Sequence, residues 1–206
     1  MRRGLVRLAL AAAFGVWLVG VGPVRSAGPG PERVVTALAV GVATVPGDAS
    51  VDEGRRLAHV DTLTAGAFDL ERSARIALGR HWRSAAEEER REFAELFRDY
   101  VLTSYGRRFH QYADRTFRVA GGTPTDDGAV VESYVEGGTT PIRLDWRLVA
   151  SEAGWRVLDV AVEGVSLLVT FRNEFAAVIE RSGGRIAGLL DELRQRVAAE
   201  RAQLAG

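Results

Sequence analysis

The sequence predicts an α+β domain, a four-stranded antiparallel sheet packed against a helical layer. Two changes of hydrophobic period carry that expectation. From Pro31 to Phe109 apolar residues recur every three or four positions, as on one face of a helix. From Thr116 to Val162 they recur at every second position, as on one face of a strand, and after Gly164 the helical spacing returns. Strands gathered in one block between helical segments place the helices on one sheet face, and short connections favour antiparallel neighbours.

The elements run in order along the chain. Pro31 to Val45 reads as a helix with Pro31 near its start and Val34, Val35, Leu38 and Val42 on one side. Pro46-Gly47-Asp48 ends it, and Ser50 to Thr64 is helical in part. Phe68 to Trp82 is a helix on the spacing of Leu70, Ala74, Ala77, Leu78 and His81. Ser84 with Glu87 has the form of a capping box opening the next helix. That helix keeps Phe93, Leu96, Phe97, Tyr100, Val101, Ser104, Tyr105 and Phe109 on one face and charges on the other.

Thr116 to Ala120 is the first strand, with a break from Gly121-Gly122 through Gly128, and Ala129 to Val135 is the second. In the third, Ile142, Leu144, Trp146 and Leu148 alternate with Arg143, Asp145 and Arg147, one face apolar and one wet. Glu152-Ala153-Gly154 turns the chain into the fourth, Trp155 to Val162, where alternation puts Val157 opposite Leu158 and Val160. Glu163-Gly164-Val165-Ser166 is a strand-to-helix corner, with Gly164 free to take an unusual backbone angle and Ser166 placed to cap the next helix. That helix, from Val165 to Ile179, ends at Gly183-Gly184, and a last one carries Ile186, Leu189, Leu190, Leu193 and Val197.

The ends bound the compartment. Arg2, Arg3 and Arg7, an uncharged apolar run from Leu8 to Val21, and small residues up to Ala27 have the order of a secretory signal peptide. The expected organisation is therefore a leader over 1–27 and a single exported domain over 28–206. The leader holds four of the 27 basic residues and no acid, which leaves 23 against 27 and a net charge of −4. Such a domain has no electrostatic attraction to nucleic acid. Every basic residue is Arg, and the absence of Cys excludes disulfides and thiolate metal sites.

Leu78-Gly79-Arg80-His81-Trp82-Arg83, followed by Phe93, Phe97 and Tyr105, resembles the central helical signature of the MlaC, or toluene-tolerance, family. So do Leu144-Asp145-Trp146-Arg147, then Trp155, the run from Asp159 to Leu167, Arg172-Asn173-Glu174-Phe175, and the segment from Gly184 to Leu193. The resemblance extends from about Phe68 to Val197. It implies a periplasmic phospholipid carrier that does no chemistry and holds no cofactor. Its implied partners are an outer-membrane lipoprotein complex and an inner-membrane ABC transporter with a mammalian-cell-entry subunit, and its implied role is to maintain outer-membrane lipid asymmetry.

A carrier needs an apolar cavity, because exposing two acyl chains costs on the order of 20 kcal/mol at about 0.8 kcal/mol per CH₂. A sheet under helices encloses one where facing side chains do not meet. The periods alone read as a filled core, and it is the resemblance that turns the apolar set into a tail cavity. That set is Phe93, Phe97, Val101, Ile142, Leu144, Trp146, Leu148, Val165, Leu168 and Val169. Arg143, Arg147 and Arg172 are the candidates for a lipid phosphate. The rival readings are a pocket enzyme of the steroid-isomerase type, with Asp145 or Asp159 as general base, and an envelope adaptor with a dry core. Asp145 alternates away from the apolar set, and His59, His81 and His110 lie far apart in sequence, so neither catalysis nor metal binding gains a motif.

Overall fold

The computed structural model describes residues 29–43, 53–110 and 115–205. The leader and the Pro46-Gly47-Asp48 stop lie outside the described residues. The sheet is antiparallel throughout, in sequential order. It comprises β1 (Thr116–Thr125), β2 (Gly128–Glu136), β3 (Ile142–Ser151), β4 (Gly154–Val162) and β5 (Val165–Ser166). It thus has five strands where four were expected, because a two-residue strand is too short to show a period.

Two bulges account for the other departures within the sheet. β1 does not break at Gly121-Gly122: Val119 pairs with Ser133 and Gly121 with Glu132, so Ala120 is the extra residue and the strand runs on to Thr125. Pro124 is tolerated because β1 lies at the sheet edge. On β4, Asp159 pairs with Arg147 and Val157 with Leu148, so Leu158 is the extra residue. One inserted residue reverses the parity of a strand. Val157 therefore shares its face with Val160, not the opposite one, and Leu158 points away from both.

α1 (Pro31–Ala43) and α2 (Glu53–Ala67) cover the apolar sheet face. The Glu32 side chain of α1 lies against Gly122 of β1, where a Cβ would displace its carboxylate. Arg156 of β4 donates to the carbonyls of Ala65 and Gly66 at 2.9 and 2.6 Å, closing the C-terminal end of α2.

The helix expected over Phe68–Trp82 is divided. Phe68 forms an isolated bridge to Val157, and Asp69 caps α3 (Leu70–Leu78) by accepting from Arg72 N at 3.0 Å. Gly79, with φ 58°, ends α3 before the short α4 (His81–Ser84). Only the glutamate half of a capping box forms, two residues later than expected. Ser84 still belongs to α4 and donates to His81 O at 3.1 Å, while Glu89 accepts from Ala86 N at 2.9 Å at the head of α5 (Glu87–His110).

α6 (Leu167–Arg181) and α7 (Ile186–Ala205) complete the chain. With α3 and α5 they bury Phe93, Phe97, Phe171, Phe175, Leu189 and Leu193 in a second core, which takes Val149 and Leu158 from the sheet. α2 joins the halves through Arg98 of α5, whose Nη2 stands 2.6 Å from Asp61 Oδ2.

Candidate functional site

Burial along the apolar sheet face falls steadily toward one end. Leu148, Val131 and Val157 are fully buried and Trp146 is 6% exposed. Farther along, Leu144 and Ile142 on β3 and Val160 and Val162 on β4 are half-buried. Leu144 pairs with Val162 and Val162 with Val165, so these share one face, and it ends on Val165 at 61% exposure. The apolar surface therefore continues past the helices that cover it. Its buried end is ordered by aromatic contacts: Trp146 meets Phe68 and Phe117 edge-on, with ring centres 6.5 and 6.2 Å apart. Trp146 Nε1 donates to Ser133 Oγ at 2.8 Å, which satisfies the one polar atom the ring carries into the core.

The open end is built by the corner after β4. Glu163 and Gly164 have φ of 50° and 79°, the two positive values that a type I′ hairpin turn requires between Val162 and Val165. Glu163 is held there by two bonds to one residue, donating its N–H to Arg143 O at 3.0 Å and accepting from Arg143 N at 2.5 Å. Ser166 caps α6 as expected, accepting from Val169 N at 3.0 Å.

The residues expected to line one tail cavity divide into three groups. Leu144, Trp146 and Leu148 belong to the sheet-face core. Phe93, Phe97 and Leu168 are buried in the helical core with Val101 packed against it, and Phe93 and Phe97 are enclosed by Phe171 and Phe175 at ring separations of 5.5–6.2 Å. Ile142, Val165 and Val169 lie toward the solvent, Val169 at 45% exposure. Sequence reasoning passed over Phe117, Val131, Val160 and Val162 on the sheet face; period-two spacing in the first, second and fourth strands would have found them. Nothing in the sequence marks Ser133.

The arginines divide similarly. Arg143 lies on the opposite, wet face, paired with Asp145 at 3.0 Å and Glu132 at 2.8 Å. Its hydrogen bond to Asp145 holds the guanidinium above its usual pKa range. Arg147 pairs with Asp127 on the same side. Arg172 is exposed, with its stem beside Gly79, and has no ion-pair partner among the described residues.

Neither carboxylate considered as a base stands in an apolar pocket. Asp145 is engaged with Arg143 on the wet face, and Asp159 is hydrogen-bonded to the start of α6. A surface groove of about 500 Å³ between α3, α4 and α5 is lined by Leu70, Trp82, Ala94 and several charged residues, and none of the expected tail-binding side chains reaches it. Among the described residues no helix is long and apolar enough to cross a membrane, and no three His, Asp or Glu gather as a metal site.

Comparison with known proteins bears directly on this geometry. The MlaC protein family profile matches residues 34–195, which takes in the apolar sheet face, both helices that cover it and the corner at its open end. The chain belongs to the MlaC family. Among its relatives is the intermembrane phospholipid transport system binding protein MlaC of Haemophilus influenzae, 23% identical over 133 residues. That match takes in 62% of this chain and 61% of the relative's length. The phospholipid-binding protein from Ralstonia solanacearum, solved in complex with a phospholipid, superposes on this MlaC-family chain with a TM-score of 0.75 at 28% identity. The superposition covers 86% of this chain and 100% of the other.

Proposed function

We propose that this protein carries phospholipid through the periplasm, holding acyl chains against the apolar sheet face with the headgroup at the β4–β5 corner. The observation that carries the proposal is the apolar face that outruns its helical cover, from fully buried Leu148 to Val165 at 61% exposure. Such a surface in water is unfavourable by about 25 cal/mol per Å², and a lipid tail lying along it removes that cost from both partners. Ile142, Leu144, Val160, Val162 and Val165 form the tail wall, Trp146 stands where the packed core begins, and Val169 completes the mouth. Phe93, Phe97, Val101 and Leu168 belong to the helical core and stand outside that wall. Of the three candidate arginines, Arg172 is the one with no acidic partner among the described residues and is the best placed for phosphate. Arg143 and Arg147 are neutralised by their carboxylates.

On this reading residues 1–27 direct export and 28–206 act as one lipid-binding domain. The carrier takes lipid from one membrane complex and yields it to another, an outer-membrane lipoprotein on one side and an inner-membrane ABC transporter with its mammalian-cell-entry subunit on the other. Exchange maintains the lipid asymmetry of the outer membrane. No covalent step is involved. Mass spectrometry of the protein isolated from periplasm under native conditions tests this: phospholipid at near-stoichiometric ratio is expected, and protein that emerges free of lipid and takes none from vesicles refutes the proposal.

A further inference from the structure

Asp159 makes contacts that a tail-binding wall does not by itself require. Its Oδ2 accepts from Ser166 Oγ at 2.6 Å and its Oδ1 from Leu168 N at 3.1 Å, while Ser166 Oγ accepts in turn from Val169 N. The serine proton is committed to the carboxylate and its lone pair to the helix. Two of the N–H groups left free at the start of α6 are thereby satisfied, one by the cap and one by a residue of β4. Ser166 alone would cap the helix. The strand carboxylate adds a tether, with its negative charge at the positive end of the helix dipole. The chain looped between its two ends holds Val162 and Val165, the exposed end of the apolar face, and Val169 comes directly after it.

We infer that Asp159 is a positioning residue for the lipid site: with Ser166 it clasps the first turn of α6 to β4, holds Val165 and Val169 at the mouth, and sets how fast lipid leaves. The inference rests on the carrier reading. Asp159 and Ser166 are both half-buried, so their hydrogen bond lies within reach of solvent, while Leu168 beside it is anchored in the helical core. It also assigns a role to the spacing of Asp159 and Ser166, seven residues apart across a two-residue turn.

The mature protein is loaded with fluorescent phosphatidylglycerol, and release is followed into acceptor vesicles of phosphatidylethanolamine and phosphatidylglycerol. Asp159→Asn and Ser166→Ala are expected to release lipid about tenfold faster, the scale of losing a charge-assisted hydrogen bond. Ser166→Thr, which keeps the hydroxyl, restores slow release relative to the alanine variant. Asp69→Ala removes the comparable cap of α3, distant in sequence from the corner, and is expected to lower the Tm without accelerating release. Should Asp159→Asn fail to fold, Ser166→Ala carries the test. Release from the clasp variants at the unvaried rate, or equal acceleration by Asp69→Ala, overturns the clasp alone. An unvaried protein that accepts no lipid overturns the carrier reading and the clasp with it.

Discussion

Ser133→Ala puts a number on the buried end of the apolar face. Ser133 is fully buried, and its hydroxyl accepts the indole N–H of Trp146 at 2.8 Å. Trp146 is only 6% exposed, so alanine leaves that N–H with neither protein nor bulk water as acceptor. A donor stranded in this way costs about 1–3 kcal/mol. The midpoint, about 2 kcal/mol, corresponds to a fall in Tm of roughly 4–8 °C for a chain of this size. Trp146→Phe removes the donor itself and costs about 1–3 kcal/mol through lost ring volume instead. Combined with Ser133→Ala it strands nothing, so the double variant is expected to lose about 1–2 kcal/mol less than the sum of the single ones. Urea unfolding followed by far-UV circular dichroism measures all three without relying on the altered tryptophan. Delipidated protein is needed, because bound ligand adds its own stabilisation. A Ser133→Ala variant within about 0.5 kcal/mol of the parent, or a strictly additive pair, would show that the hydroxyl does not hold the ring.

Three further outcomes are expected. Val165→Glu and Val169→Glu, at exposed positions, leave stability within about 0.5 kcal/mol but sharply reduce lipid taken from vesicles; equal loading would remove these residues from the mouth. Ala86→Ser supplies the missing acceptor at the head of α5, where Glu89 already returns a bond to Ala86 N, and raises stability by about 1 kcal/mol, read from Tm. Hydrogen bonds from Arg147 and then Thr125 hold the Asp127 carboxyl below the usual carboxylate range. Because the folded value lies below the unfolded value of about 3.9, its contribution is present above that pH and lost as pH falls through the folded value. Carbon-detected NMR titration should show the Asp127 pKa rising in Arg147→Ala, and an unchanged value would dissociate the pair.

The parts of this fold that can be read from the chain are those in which an element reports its own two faces. Alternation through Ile142, Leu144, Trp146 and Leu148 identifies the apolar side of β3, and Phe93 and Phe97 that of α5, since periods of 2.0 and 3.6 arise from local geometry alone. Ser166 is legible as a cap because its acceptor serves an N–H three residues away. The glutamate half of the capping box expected at Ser84 lies two residues off because Ser84 still ends α4, so that α5 starts at Glu87 with Ala86 at its head. Of the site, the exposed corner can be recognised from Gly164 and Ser166. The role of Asp159 cannot, since a strand carboxylate looks the same whether it meets water or a helix end.

The chain alone determined the kind and order of its longer elements and the apolar side of most of them. Tertiary structure decided which apolar sides meet. It sent Phe93 and Phe97 into a helical core with Phe171 and Phe175, and left Leu144 and Val162 under a cover that stops short. It also placed a bulge at Leu158 that reversed the parity of β4. The reason is one of range. Periodicity reflects neighbours within a turn or two, whereas pairing across the sheet and packing between helices join residues separated by up to about a hundred positions, as Arg194 and Glu92 are. Their outcome depends on how all the faces fit at once.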